Sequence, residues 1–143
     1  MTSPVSAPPM WPIQKAVYGL LAGDPELSGL LVGGVYDYLP ETAPYPFLVV
    51  GEAVDTPDNR HRGLGWQTTI TLHVWTQAEG NRQGLAIGAR VAALLDHQPL
   101  ALPGYDHIAT RYEFAQALTD PEPPGNLRHL VQRYRITTEQ PTP

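Results

Sequence analysis

The sequence predicts a single α+β domain: a mainly antiparallel β-sheet with two main helices packed on one face. Three observations carry this. Two segments repeat apolar residues at helical spacing, and five shorter ones alternate or run apolar in the manner of strands. Few connections have the strand–helix–strand form that a parallel crossover needs. The 143 residues, 42% of them hydrophobic, suffice for one core without staples.

The chain opens with a Pro-, Ser- and Ala-rich arm, residues 1–11, expected to be flexible, in which Trp11 is a candidate anchor on a neighbour. A helix is expected from about 12 to 22. Pro12 suits its first turn, Gly23 closes it, and Ile13, Val17, Leu20 and Leu21 form its apolar stripe. Asp24 is a good N-cap and Pro25 a good first residue, so a short second helix follows, which Gly33 and Gly34 are expected to stop. A short strand is expected at 35–38 and a stronger one from Tyr45 to Val54, bounded by prolines.

The next strand, 66–76, alternates cleanly. Trp66, Thr68, Ile70, Leu72 and Val74 share one face, and Gln67, Thr69, Thr71, His73 and Trp75 share the other. The second major helix is expected at about 81–95, with Asn81 as cap and an apolar face of Leu85, Ile87, Val91, Ala92, Leu94 and Leu95. Gly84 and Gly88 each cost a helix about 1 kcal/mol relative to alanine. Close packing against another backbone would explain their presence. Two strands finish the domain. In the first, Ile108, Tyr112 and Phe114 are expected on one side, with Ala109, Arg111, Glu113 and Ala115 opposite. In the second, Leu130, Tyr134 and Ile136 face away from Arg133 and Arg135, and Glu113 is placed to face Arg133 across the hairpin. The domain proper spans 12–138, and 139–143 form a short tail.

Composition removes several functional classes. The formal net charge is −5, which argues against non-specific binding of DNA, RNA or anionic membranes. Only 16% of residues are charged, below the roughly 25% of ordinary globular domains, as buried subunit contacts would produce. The absence of cysteine excludes disulfides, zinc–thiolate sites and cysteine nucleophiles. No apolar run approaches the ~20 residues of a membrane span.

Catalytic patterns are also missing. The three serines, Ser3, Ser6 and Ser28, lie in no nucleophile-elbow pattern, and Lys15 reads as a solvated charge. "LLVGGVY" lacks the GK[ST] of a phosphate loop. No two of His61, His73, His97, His107 and His129 stand at the three-to-five spacing of a compact metal site. No catalytic, cofactor-binding or metal residue is therefore assigned.

Two features remain unexplained. Trp75 points away from Ile70 and Leu72 by parity, so either a second layer covers that face or it is a contact surface. "DTPDNRHRGLG", residues 55–65, reads as a connection of about ten residues, longer than most hairpin loops. A solvated loop, an arm that orders against a partner and a nucleic-acid contact all fit its mixed charge. The candidate interface residues are Asp58, Asn59, Arg60, His61, Arg62, His73 and Trp75.

From about 12 to 138 the chain resembles the tail-completion, or tail-terminator, proteins of long-tailed bacteriophages. The resemblance rests on "IQKAVYGLLAGDPELSGLLVGGVYDYLP", "APYPFLVVGEA", "TTITLHVWTQAEG", "ARVAALLD" and "LVQRYRI". It implies a non-enzymatic virion protein that forms a ring, typically of six copies, on the head-proximal end of the tail tube. Its partners would be further copies of itself, the tube protein and a head-completion or connector protein, with no cofactor and no membrane. DNA would meet it only in passing through an acidic lumen. The 55–65 stretch would then be an arm that orders on assembly. Two other readings stay open: another phage neck or head-completion component, and a small α+β enzyme or ligand-binding domain.

Overall fold

The computed structural model describes residues 5–61, 63–120 and 125–141. Three helices, α1 (Met10–Ala22), α2 (Pro25–Leu30) and α3 (Arg82–Leu95), accompany five strands. These are β1 (Gly34–Tyr36), β2 (Phe47–Pro57), β3 (Gly65–Gln77), β4 (Asp106–Thr119) and β5 (Leu127–Glu139). They form one sheet in the order β1-β2-β3-β5-β4, parallel only where β1 meets β2. This is the expected α+β domain.

The helices lie on one face. Ile13, Val17 and Leu21 of α1 and Ile87, Val91 and Leu95 of α3 pack on Leu48, Ile70, Leu72, Val74, Leu130, Tyr134 and Ile136. Alternation along β3 and β5 therefore sorts side chains as the sequence indicates, with Arg133 and Arg135 exposed on the opposite face. Each buried aliphatic side chain contributes about 1.5–3 kcal/mol of transfer free energy. Leu85 departs from the pattern: it is exposed, because α3 turns only its 84/87/88/91/95 stripe to the sheet.

Local chemistry explains the element ends, with some departures. The Asp24 carboxylate accepts the Leu27 backbone N–H at 2.8 Å, capping α2 as expected. The Asn81 side chain makes no such bond at the start of α3. Helix α1 starts at Met10, ahead of Pro12, and its Ile13 N–H reaches the Pro9 carbonyl. Val5 and Ala7 are tied to Gln140, and Tyr105 Oη donates to the Ala7 carbonyl. Gly33 and Gly34 do not stop α2, which ends at Leu30. Gly33 instead lets the chain pass the Pro44 backbone, where a Cβ would come within 1.9 Å of the carbonyl oxygen, and Gly34 has φ +92°.

Two further expectations need correction. Residues 55–65 are not a ten-residue loop. Asp55, Thr56 and Pro57 pair with Thr68, Gln67 and Trp66, the Asp58 N–H bonds the Gly65 carbonyl, and Arg60 bridges Gly63. The turn shrinks to Arg60–Gly63. On β4, irregularities at His107/Ala109 and Tyr112/Phe114 reset the parity. Tyr112 meets Tyr134 on the helix side, whereas Phe114 sits opposite Arg133 on the open side, its ring under the guanidinium at 5.2 Å. The expectation that Gly84 and Gly88 pack against another backbone is also corrected: at Gly88, α3 closes onto the Leu130 and Gln132 side chains of β5, and Gly84 faces the Thr76 side chain at ordinary contact distance.

Candidate assembly surfaces

The face of the sheet away from the helices carries the candidate residues, in two groups at opposite ends. Trp66 and Trp75 are nine residues apart on β3, roughly 30 Å at ~3.4 Å per residue. The Asp58–Gly63 turn therefore lies far from His73 and Trp75, and they form no single site.

At the turn, short side-chain contacts hold the hairpin to the ends of β3 and β5. Asp58 Oδ2 accepts from Gln67 Nε2 at 2.9 Å, and Asn59 Oδ1 accepts from the Gly65 N–H at 3.4 Å. Arg60 Nε lies 3.3 Å from Glu139, and its Nη2 lies 3.7 Å from Asp58. His61 is exposed, and Arg62 lies outside the described residues. The Arg60 charge is thus matched by acids close by, so the described residues of the turn offer no basic patch for a phosphate backbone.

At the other end a cluster forms that sequence spacing could not reveal. His73 on β3 and His129 on β5 are diagonal neighbours, since Trp75 pairs with His129 and His73 with Val131. His73 Nδ1 lies 2.7 Å from His129 Nε2, and His73 Nε2 lies 2.5 Å from Glu52 Oε1. The His129 ring stacks on Trp75 with centroids 3.8 Å apart. Gly51 makes room for this, because a Cβ there would meet the His73 ring at 2.6 Å.

The Glu52 carboxylate accepts the His73 Nε2–H, which leaves Nδ1 to accept from His129 Nε2–H when both rings are neutral. Only one proton fits between the two facing nitrogens, so full protonation of both rings breaks their contact. Burial, then the His73 charge, holds His129 below the ordinary histidine range. The hydrogen bond to His73 holds Glu52 below the ordinary carboxylate range. The described residues contain no group of three or more His, Cys, Asp or Glu disposed to hold a metal ion.

Among the described residues no helix covers Trp75: the helices lie on the other side, and its half-buried indole stacks on the His129 imidazole with Phe47 opposite it on β2. A groove lies on the helix side, between α1 and residues 99–103, lined by Trp11, Ala16, Leu20, Pro99 and Leu100. Its one charged lining residue is Lys15, which is exposed, so it offers no convergent acid–base set.

A surface built of paired side chains and exposed strands is one suited to docking. Comparison with known proteins gives the same direction. A model of the family described as "Tail completion protein gp17" matches residues 15–139. The chain belongs to this family. It is 32% identical over 97 residues to the tail completion protein gp17 of Bacillus phage SPP1, covering 66% of this chain and 68% of that one. A chain from the virion of a native gene transfer agent particle has the same fold. Its TM-score is 0.77 at 24% identity, over 89% of this chain and 94% of that chain. The resemblance noted in the sequence is therefore established as family membership, and the tail completion family makes this chain a structural protein of the phage tail and a component of the virion.

Proposed function

We propose that the protein closes into a ring, of six copies, on the head-proximal end of the tail tube. There it ends tube polymerisation, joins the tail to the head connector and catalyses no reaction. The observation that carries this is the tail completion family match across 15–139. The shape supports it: one face of the sheet is packed by helices and the other stays open, so contact surface remains for partners.

The two ends of the open face divide the contacts. The Asp58–Arg62 turn meets one partner, and the His73–Trp75 end meets another. The turn is already paired with the body of the chain, so it acts as a rigid prong that presents Asn59, Arg60 and His61, with little ordering cost on docking. The net charge of −5 supports a lumen that does not hold passing phosphates. The experiment is tube assembly in vitro. Adding the purified chain to polymerising tube protein should give short tubes capped at one end. Tubes of undiminished length with no cap would refute the reading.

A further inference from the structure

The sheet has two unguarded margins, and their chemistry differs. Strand β4 is the edge on one side. Its first half is covered, since the Thr110 carbonyl accepts from the His97 N–H at 2.9 Å and the Tyr112 N–H donates to Asp96 Oδ1 at 2.8 Å. From Glu113 to Thr119 every residue is exposed, and among the described residues no backbone group of another element bonds the outer side. This run, "EFAQALT", has no lysine or proline to discourage pairing, and it exposes Phe114 and Leu118.

On the opposite side β1 is only three residues long and pairs only Phe47–Val49 of β2. The rest of β2, Gly51–Pro57, is a second open margin with Val54 57% exposed. Charge differs across the sheet in the same direction. Residues 31–57 contain Asp37, Glu41, Glu52 and Asp55 and no basic residue. Where the exposed β4 run begins, the open face instead carries Arg111 of β4 and Arg133 and Arg135 of the adjoining β5, with Glu113 beside Arg133 and Arg135; Asp106 and Glu139 sit at the far end of the same strand pair.

We propose that neighbouring copies join edge to edge: the Glu113–Thr119 run of one copy adds to the Gly51–Pro57 margin of the next. Each copy then offers two different edges, one with arginines beside it and one with only acidic charges. Such a head-to-tail contact closes by rotation rather than stopping at a dimer. Main-chain hydrogen bonds supply affinity, while Phe114, Leu118 and Val54 supply apolar contact. The inference rests on the ring reading above and names the surfaces that make the ring.

The chain has no cysteine, so the contact is open to disulfide mapping. Four double variants pair Gln116→Cys or Leu118→Cys with Val54→Cys or Thr56→Cys, all at exposed positions. Facing residues on adjacent strands lie at about 4.5–5.5 Å between Cα atoms, within disulfide reach. Oxidation of at least one double variant should give a ladder of covalent multimers ending at the subunit number of the ring, while each single variant stops at a dimer. Intact rings by electron microscopy with no ladder from any pair overturn this interface and leave the ring reading standing. Cross-linking of the β4 cysteines to tube protein in purified tails, in place of a second copy, also overturns it. A chain that stays a monomer by mass at high concentration overturns both readings.

Discussion

Replacing Gly88 by alanine tests how α3 is held on the sheet. A Cβ at this position would lie 2.6 Å from Leu130 Cδ2 and 2.7 Å from Gln132 Nε2, both too close. Neither neighbour is free to move, because both residues are buried. Gln132 Nε2 donates to the Gly88 carbonyl at 3.1 Å, and its Oε1 accepts from Tyr134 Oη at 3.0 Å. The helix gains about 1 kcal/mol from alanine in place of glycine. Against this stand about 1–3 kcal/mol for overpacking and about 1–3 kcal/mol for each buried polar group left unpaired. With one polar group left unpaired, the expected net is a loss of roughly 1–5 kcal/mol. Gly19 on α1 is the control, since nothing lies within 4 Å of its absent Cβ. Gly19→Ala should therefore stabilise by up to about 1 kcal/mol. Urea denaturation of the two variants at one protein concentration is the assay. A Gly88→Ala variant as stable as Gly19→Ala would refute the tight α3–β5 contact.

Acidification should weaken the fold in two windows. The folded pKa of His129 is depressed, so the unfolded chain takes its proton first, and stability falls as pH drops from about 6.5 through the folded value. Glu52 is also depressed, and its contribution, full above its ordinary value of 4.5, is lost as pH falls through its lowered one. Burial lowers His107 as well, so His129→Gln should make the upper window shallower, the His129→Gln, His107→Gln double variant shallower still, and both should leave the lower window, as read from thermal midpoints across pH. Asp24→Ala removes both the cap of α2 and the bidentate partner of Arg90, so it should lower the midpoint more than Asp24→Asn, which keeps a cap acceptor. Arg60→Ala with His61→Ala changes exposed side chains only, with ion pairs worth about 0–1 kcal/mol. Its denaturation midpoint should stay near that of the parent while tail joining falls, measured as infectious particles in complementation.

The sheet and helices were legible because burial imposes a period. Ile70, Leu72 and Val74 declare the inner face of β3, and Ile13, Val17 and Leu21 declare the inner stripe of α1. Parity failed on β4, where the irregularity at Tyr112/Phe114 inserts one residue and sends Phe114 to the open face. Nothing local to "RYEFAQ" announces it. The Asp55–Gly65 stretch looked like a loop because polar and glycine residues there mask strand pairing, which is settled by partners on β3. The Glu52–His73–His129 cluster was invisible because its members come from three strands and meet only through register. The difference in charge between the two margins of the sheet lies open in the sequence, but it has no meaning until the strand order is known.

The central claim concerns where the protein sits and in how many copies. The direct measurement is electron microscopy of purified particles carrying a tagged chain, with copy number from quantitative mass spectrometry. The expected result is label confined to the head–tail junction at six copies per particle. Label spread along the tube, or no chain in intact particles, would contradict it.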